Sequence, residues 1–489
     1  MRWNRLLFVT VGSVMTMLAA AAHGQDVTTV LCHGYSLDQT KGAWVQGMAE
    51  AMRDRAISEG IATSGAIVRY DQASGAWRMV SGTLTPGQPV FCIYRWLNDF
   101  DKPGPNAGYA EGAADAMYAA LRDPQFVDQL GSPIAGIELV NGRDLHLVGH
   151  SRGTIVNSEV SRRFAREGLT VDHVTGMDPH PVNGTLDADP NWGDPVPMRW
   201  ENNTFVDVYY RADGAFLLNA FDFDGIPIPT AFNTQLSESA LNSGGYTFAH
   251  SDTHLWLHGT IDLSPTPCDG EACITTSMRN NWWPEGFTER GYYYALLGGG
   301  AVQRPALGPG MPVTNPAVLY NGDFGGNVSA GWLFHGGSLN AQLTNDGGNG
   351  ILRLAGAGSL AEHNRFYLPV GIAAIAADLR VVTPDTGDVV EISLVDADGI
   401  STVVWSMAAD SATGWMPDLT MALPGTLPRG RTYQLQAQLV DGVGTVSATV
   451  DLDDIRFIEG PSCPADCAPD NGDGTFGNGM VNIDDLLSV

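Results

Sequence analysis

At 489 residues the chain exceeds a single domain, and two or three are expected. Hydrophobic residues make up 44%, enough for ordinary globular cores. The formal charge of −28, from 54 acidic against 26 basic residues, excludes nucleic acid and anionic membranes as partners and suits a soluble surface outside the cell.

Residues 1–24 read as a secretory signal. Arg2 and Arg5 give a basic start, Leu6 to Ala22 is an apolar run, and Ala22-His23-Gly24 is a small-residue cleavage site. The rival reading is a membrane anchor, for which the run is short. A secreted chain permits disulfides. Cys268 with Cys273, and Cys463 with Cys467, can each close a short loop. Cys32 and Cys92 lie in apolar, strand-like runs and read as buried thiols; no spacing reads as a zinc site.

Residues 25–300 alternate strands with helices. Thr28 to Cys32, Val90 to Tyr94, Leu145 to Val148, His173 to Met177 and Thr204 to Tyr210 read as short buried strands. Between them, Trp44, Met48 and Met52 share one face of a helix running to Arg55. The alternation predicts a parallel sheet covered by helices.

Gly149-His150-Ser151-Arg152-Gly153 has the pattern G-x-S-x-G, in which glycines permit a sharp strand-to-helix turn that lifts a nucleophilic serine clear of the sheet. With 59 glycines in the chain the pattern alone says little, and context decides. Leu145 to Val148 precedes it as a strand, and Ile155, Val156, Val160 and Phe164 follow at helical spacing. An acyl-transfer serine also needs oxyanion donors, a base and an orienting carboxylate. The backbone N–H groups of Tyr35, in His33-Gly34-Tyr35 after the first strand, and of Arg152 are the expected donors.

Asp178 ends a strand, is followed by Pro179, and fits the chain order serine, acid, histidine. Asp213, after the next strand, is the rival acid, and a turn aspartate that only caps backbone is the bland alternative. Three histidines, His250, His254 and His258, stand four apart. A metal ladder is disfavoured because no H-E-x-x-H pattern is present. His250 opens a helix-like stretch and leads as base, His254 is the alternative, and His258 reads as structural.

Residues 301–316 read as a Gly/Pro linker, which implies few contacts across it. From 317 to 460 the period becomes two, as in Tyr433, Leu435, Ala437 and Leu439 alternating with glutamines. That predicts an antiparallel β-sandwich. Residues 461–489 form a small tail rich in Cys, Asp and Gly.

The residues of the first part resemble the pancreatic-lipase-like branch of the α/β-hydrolases over roughly residues 28–261. The likeness is carried by His33-Gly34-Tyr35 with Trp44, Leu145 to Ser151, Met177-Asp178-Pro179, Phe205 to Val208, and His250 to Ile261. It implies an α/β-hydrolase parallel sheet flanked by helices, lipase or esterase activity on lipid-like esters, and no catalytic cofactor. It favours Asp178 over Asp213 and puts the base on His250. No cysteines flank the segment Ala215 to Thr247, which reads either as a lid bearing Phe216, Leu217, Leu218, Phe221, Phe223, Ile226 and Ile228 or as ordinary core. Arg152 stands where lipases often carry an apolar residue, and its charge is expected to alter acyl preference.

Asn321 to Phe324, Gly331-Trp332 and Asp451 to Ile455 resemble the ends of a carbohydrate-binding-module jelly roll. Asp323, Asp453 and Asp454 then offer hard oxygen ligands for a structural calcium ion, or are simple turn carboxylates. Trp332, Trp405 and Trp415 would stack on glycan or fill the core. The tail resembles half of a dockerin-type, EF-hand-like repeat, with Asp470, Asp473 and Asp485 as calcium ligands; a sorting signal is the other reading. Three functions stand side by side: a secreted lipase or carboxylesterase, an esterase for a polyester or acylated polysaccharide held by the sandwich, and a noncatalytic binding protein on a degenerate hydrolase scaffold. The intact Ser151, Asp178 and His250 set argues against the last.

Overall fold

The computed structural model describes residues 26–34, 42–96, 109–181, 194–211, 224–314, 316–325, 331–335, 340–356, 358–442 and 447–460. The signal segment and the tail, with Asp470, Asp473 and Asp485, lie outside them, as do Tyr35, Asp213 and most apolar positions of the lid segment. Ile228 is described, and it is buried in the core.

The first part runs β1 (Val27–Cys32), α1 (Ala43–Ser58), β2 (Ala66–Asp71), β3 (Ala76–Ser81), β4 (Val90–Tyr94), α2 (Tyr109–Arg122), β5 (Phe126–Val127), β6 (Asp144–His150), α3 (Arg152–Arg166), β7 (Val171–Met177), β8 (Asn203–Tyr210), β9 (Phe232–Gln235), α4 (Glu238–Leu241), α5 (Ala249–Ile261) and α6 (Thr276–Trp282). The nine strands form one sheet in the order β5-β3-β2-β4-β1-β6-β7-β8-β9. Every pairing is parallel except the β2–β3 hairpin. Successive side chains of a strand point to opposite faces, and both faces are covered. Val30, Cys32, Cys92 and Leu147 join Met117 of α2 and Ile155 and Phe164 of α3 in one core. Val27, Leu31, Phe91 and Val148 join Met48 of α1, Leu255 of α5 and Met278 of α6 in the other.

From β1 the chain builds towards one sheet edge, and from β6 towards the other. The chain therefore leaves these two neighbouring strands towards opposite edges of the sheet.

The second part contains β10 (Trp332–His335), β11 (Ala341–Asp346), β12 (Asn349–Ala355), β13 (Leu360–Leu368), β14 (Ile372–Thr383), β15 (Val389–Val395), β16 (Ser401–Ala408), β17 (Met416–Ala422), β18 (Arg431–Val440) and β19 (Thr449–Glu459). They form two five-stranded antiparallel sheets, β10-β13-β18-β15-β16 and β11-β12-β19-β14-β17, packed as a β-sandwich. The alternating Tyr433, Leu435, Ala437 and Leu439 are buried between the sheets, as are Trp332 and Trp405. Trp415 is half-buried under the Arg380 guanidinium.

The expectation of few contacts across the linker is corrected. The sandwich sits directly on α2. Tyr367 packs edge-on against Tyr118, with centroids 5.5 Å apart, and belongs to the first part's core. Asn364 donates to the Gly112 carbonyl at 2.8 Å, and the Tyr320 backbone N–H donates to Asp115 at 3.0 Å. The linker is itself strapped down by a bridge between Trp200 and Met311. Its Gly and Pro content reports backbone irregularity, not separation.

Candidate active site

The elbow is set by close packing. A Cβ on Gly149 would lie 2.7 Å from the Gly153 carbonyl oxygen, and one on Gly153 would lie 2.5 Å from the carbonyl oxygens of Cys32 and His33. Between them Ser151 turns from β6 into α3 with φ 54° and ψ −127°, a costly conformation for a non-glycine residue that clusters at functional sites. Its backbone N–H is held by the Met177 carbonyl of the neighbouring strand at 2.8 Å. The turn after β1 closes on the same point: a Cβ on Gly34 would sit 3.1 Å from Ser151 Oγ. Arg152 opens α3, so its backbone lies at the positive end of the helix dipole.

Asp178 follows β7 directly, with φ 45° and a fully buried side chain. Its carboxylate is 2.6 Å from His250 Nδ1. It also accepts from the Arg211 backbone N–H at 2.8 Å and from Arg211 Nε at 3.0 Å. His250 is the second residue of α5, inside the helix's first turn and not on the loop before it, and its side chain is partly exposed. Ser151, Asp178 and His250 thus come from the C-terminal ends of two adjacent strands and the start of one helix.

His254 is buried one turn further on, stacked on Trp44 at 4.0 Å, with Nδ1 3.6 Å from an Asp269 carboxylate oxygen. His258 is buried on the same helix. Burial pushes both imidazoles down from the usual histidine value. The Cys268–Cys273 disulfide closes the loop that carries Asp269, while Cys32 and Cys92 are buried thiols.

Three supports carry no sequence signal. Arg211, just after β8, sets its guanidinium on the Asp178 carboxylate. His150 Nε2 donates to the His250 carbonyl at 2.9 Å, and burial holds this ring's pKa well below the usual histidine value, with His250 and His254 adding to the effect. Asp194 takes the Arg152 guanidinium in a buried ion pair, Nε to Oδ2 2.6 Å and Nη2 to Oδ1 2.5 Å. The Arg152 charge is thus paired inside the protein.

In the sandwich, Asp323 accepts from the Gly325 N–H, Asp453 from Asn349 Nδ2 at 2.7 Å, and Asp454 pairs with Arg456. Among the described residues no three His, Cys, Asp or Glu side chains converge as metal ligands. No described helix is long and apolar enough to cross a membrane.

No family model matches the chain, and no curated protein matches it. Among solved structures, a carbohydrate-binding module specific for non-crystalline cellulose is 14% identical and covers 29% of this chain and 93% of its own, at a TM-score of 0.23. A family 11 carbohydrate-binding module from Clostridium thermocellum, in complex with a mixed-linked tetrasaccharide, is 15% identical over 28% of this chain and 92% of its own, at 0.22. The K3 adhesin domain of a Lys-gingipain from Porphyromonas gingivalis is 13% identical over 28% and 95%, at 0.22. Likeness at this level carries no argument about ligand or activity, and the sandwich rests on its own strand pairing.

Proposed function

We propose that the chain is a secreted serine hydrolase of the α/β-hydrolase type that cleaves carboxylic esters. The observation that carries this reading is the 2.6 Å contact between His250 Nδ1 and the buried Asp178 carboxylate, on the sheet end where Ser151 stands in a strained elbow. A buried carboxylate on Nδ1 fixes the tautomer that leaves Nε2 to accept a proton. Ser151 Oγ forms a bond to the ester carbonyl carbon as its proton passes to His250 Nε2, and the carbonyl π electrons move onto oxygen. Backbone N–H groups stabilise that charge, among them that of Arg152. The C–O bond to the alcohol then breaks, the alcohol takes the proton from His250, and water repeats the sequence on the acyl-serine. No metal or cofactor enters these steps. The disulfide supports export to an oxidising compartment.

The test is a fluorophosphonate probe followed by peptide mapping, together with hydrolysis of a graded series of p-nitrophenyl esters. Labelling is expected on Ser151 and lost in Ser151→Ala. A label on another residue, or full turnover by Ser151→Ala, sinks the reading. The ester series gives the acyl length.

A further inference from the structure

Arg152 puts a cation where it is least welcome. It is buried, and it is the first residue of α3, where the helix dipole is already positive. An uncompensated guanidinium in that position would be strongly disfavoured. Asp194 compensates it with a two-pronged pair in which both side chains are buried. On its other side the guanidinium lies over the Trp96 ring, 5.5 Å from the centroid. Trp96 Nε1 donates to the His33 carbonyl at 2.8 Å, and its ring stacks on the His33 imidazole at 6.0 Å. His33 Nδ1 in turn donates to the Gly34 carbonyl at 2.6 Å. One line of contacts, Asp194 to Arg152 to Trp96 to His33, therefore joins the two segments that flank Ser151.

We propose that Asp194 is a positioning residue for oxyanion stabilisation. By locking the Arg152 side chain it fixes the first turn of α3 against His33 and Gly34, so that the Arg152 backbone N–H keeps its place beside Ser151. The inference rests on the ester-hydrolase reading above. Asp194 reaches the site through Arg152. Sequence gives no hint of it, because Asp194 follows a stretch with no regular pattern and pairs with a residue 42 positions away.

The experiment uses the full chain as wild type, as Asp194→Asn, and as the paired variant Arg152→Leu with Asp194→Leu. The paired variant removes both charges and leaves no orphan ion, so it keeps the test alive if Asp194→Asn does not fold. Each protein is checked by circular dichroism, then assayed on p-nitrophenyl butyrate and for its rate of fluorophosphonate labelling. Both variants are expected to lose about 10- to 100-fold in kcat with KM within about twofold, because misplaced oxyanion donors act on the transition state and not on binding. The labelling rate is expected to fall by a similar factor, since phosphonylation builds charge at the same place. Natively folded variants with wild-type kcat and labelling rate overturn the role of Asp194 and leave the hydrolase reading intact. So does a rise in KM at constant kcat, which would make this pair part of substrate binding. Absence of label on Ser151 in the wild type overturns the hydrolase reading, and this inference with it.

Discussion

Asn364, in strand β13 of the sandwich, donates its side-chain amide to the main-chain carbonyl of Gly112 in helix α2 at 2.8 Å. Around this bond, Thr432 bonds the Ala119 carbonyl and Asp123, and Arg122 lies over the Tyr367 ring. A helix face buried in this way becomes apolar surface when its cover is removed. A fragment ending at residue 300 is therefore expected to melt at least about 5 °C below the full chain and to bind a hydrophobic dye. Calorimetry of fragment and full chain decides the matter. Equal melting temperatures would mean that these contacts contribute nothing and that the two parts are independent.

Asp178→Asn is expected to lower kcat by about 10⁴-fold, through the wrong histidine tautomer, while Asp213→Asn stays within about threefold. Steady-state kinetics on one soluble ester checks both. A severe loss in Asp213→Asn alone would move the acid to the later strand.

Glu111 in α2 is half-buried, and its Oε2 has no hydrogen-bond partner among the described residues. Burial, with the charges of Asp194 and Glu159 near it, pushes its carboxyl up to about 8 from an ordinary 4.5. The folded chain keeps a proton that the unfolded chain has lost. The stability this group contributes is complete below pH 4.5 and fades as pH rises through 8. Glu111→Gln should thus leave melting unchanged at pH 5 and raise it by a few degrees, about 2–4 °C, at pH 9. A variant that melts lower at pH 9 contradicts the assignment.

Buried imidazoles act in the opposite direction. Burial lowers His33 to about 4, and holds His146 and His150 well below 6.5. The unfolded chain takes up protons below pH 6.5 that the folded chain refuses, so stability is present above that pH and is lost as pH falls. In the Glu111→Gln background, the free energy of unfolding is expected to drop by at least about 2 kcal/mol between pH 7 and pH 5. Urea melts at the two pH values measure it. A flat profile would mean that these rings are accessible and titrate normally.

Cys268 and Cys273 are exposed, and their bond closes a loop of sequence separation five. Reduction is expected to cost about 2 kcal/mol of stability on loop entropy alone. Activity should persist at a low denaturant concentration, because Asp269 keeps its bonds to Tyr246 and to the Glu271 and Ala272 N–H groups. Immediate inactivation by a thiol, with the fold unchanged, would show that the loop holds His254 and the site behind it.

The strands ending at Cys32, Tyr94, His150, Met177 and Tyr210 were legible because each is a short run buried on both faces, a pattern that few other structures impose. The sandwich was legible through its period of two. The β2–β3 hairpin was not legible because β3, one strand in from the β5 edge, is only partly buried along most of its length, and the alternation blurs. Ser151, Asp178 and His250 each sit at an element end, and ends leave marks such as Gly, Pro and capping residues. Arg211, Asp194 and Trp96 meet that site only through tertiary packing, and no local rule marks such residues. The docking of the sandwich was hidden for the same reason: Tyr367 reads as one more strand aromatic until Tyr118 is seen beside it.

The seating of Tyr367 on α2 also sets an order of events during biosynthesis. Arg122 and Tyr367, which touch in the finished protein, are 245 residues apart in the chain. At typical elongation rates the outer face of α2 emerges roughly 10–50 s before the residue that covers it. Throughout that interval the nascent chain presents a sticky helix face, a natural place for a chaperone to bind. A chain terminated early, within the sandwich, would keep that face uncovered permanently and would be prone to aggregate.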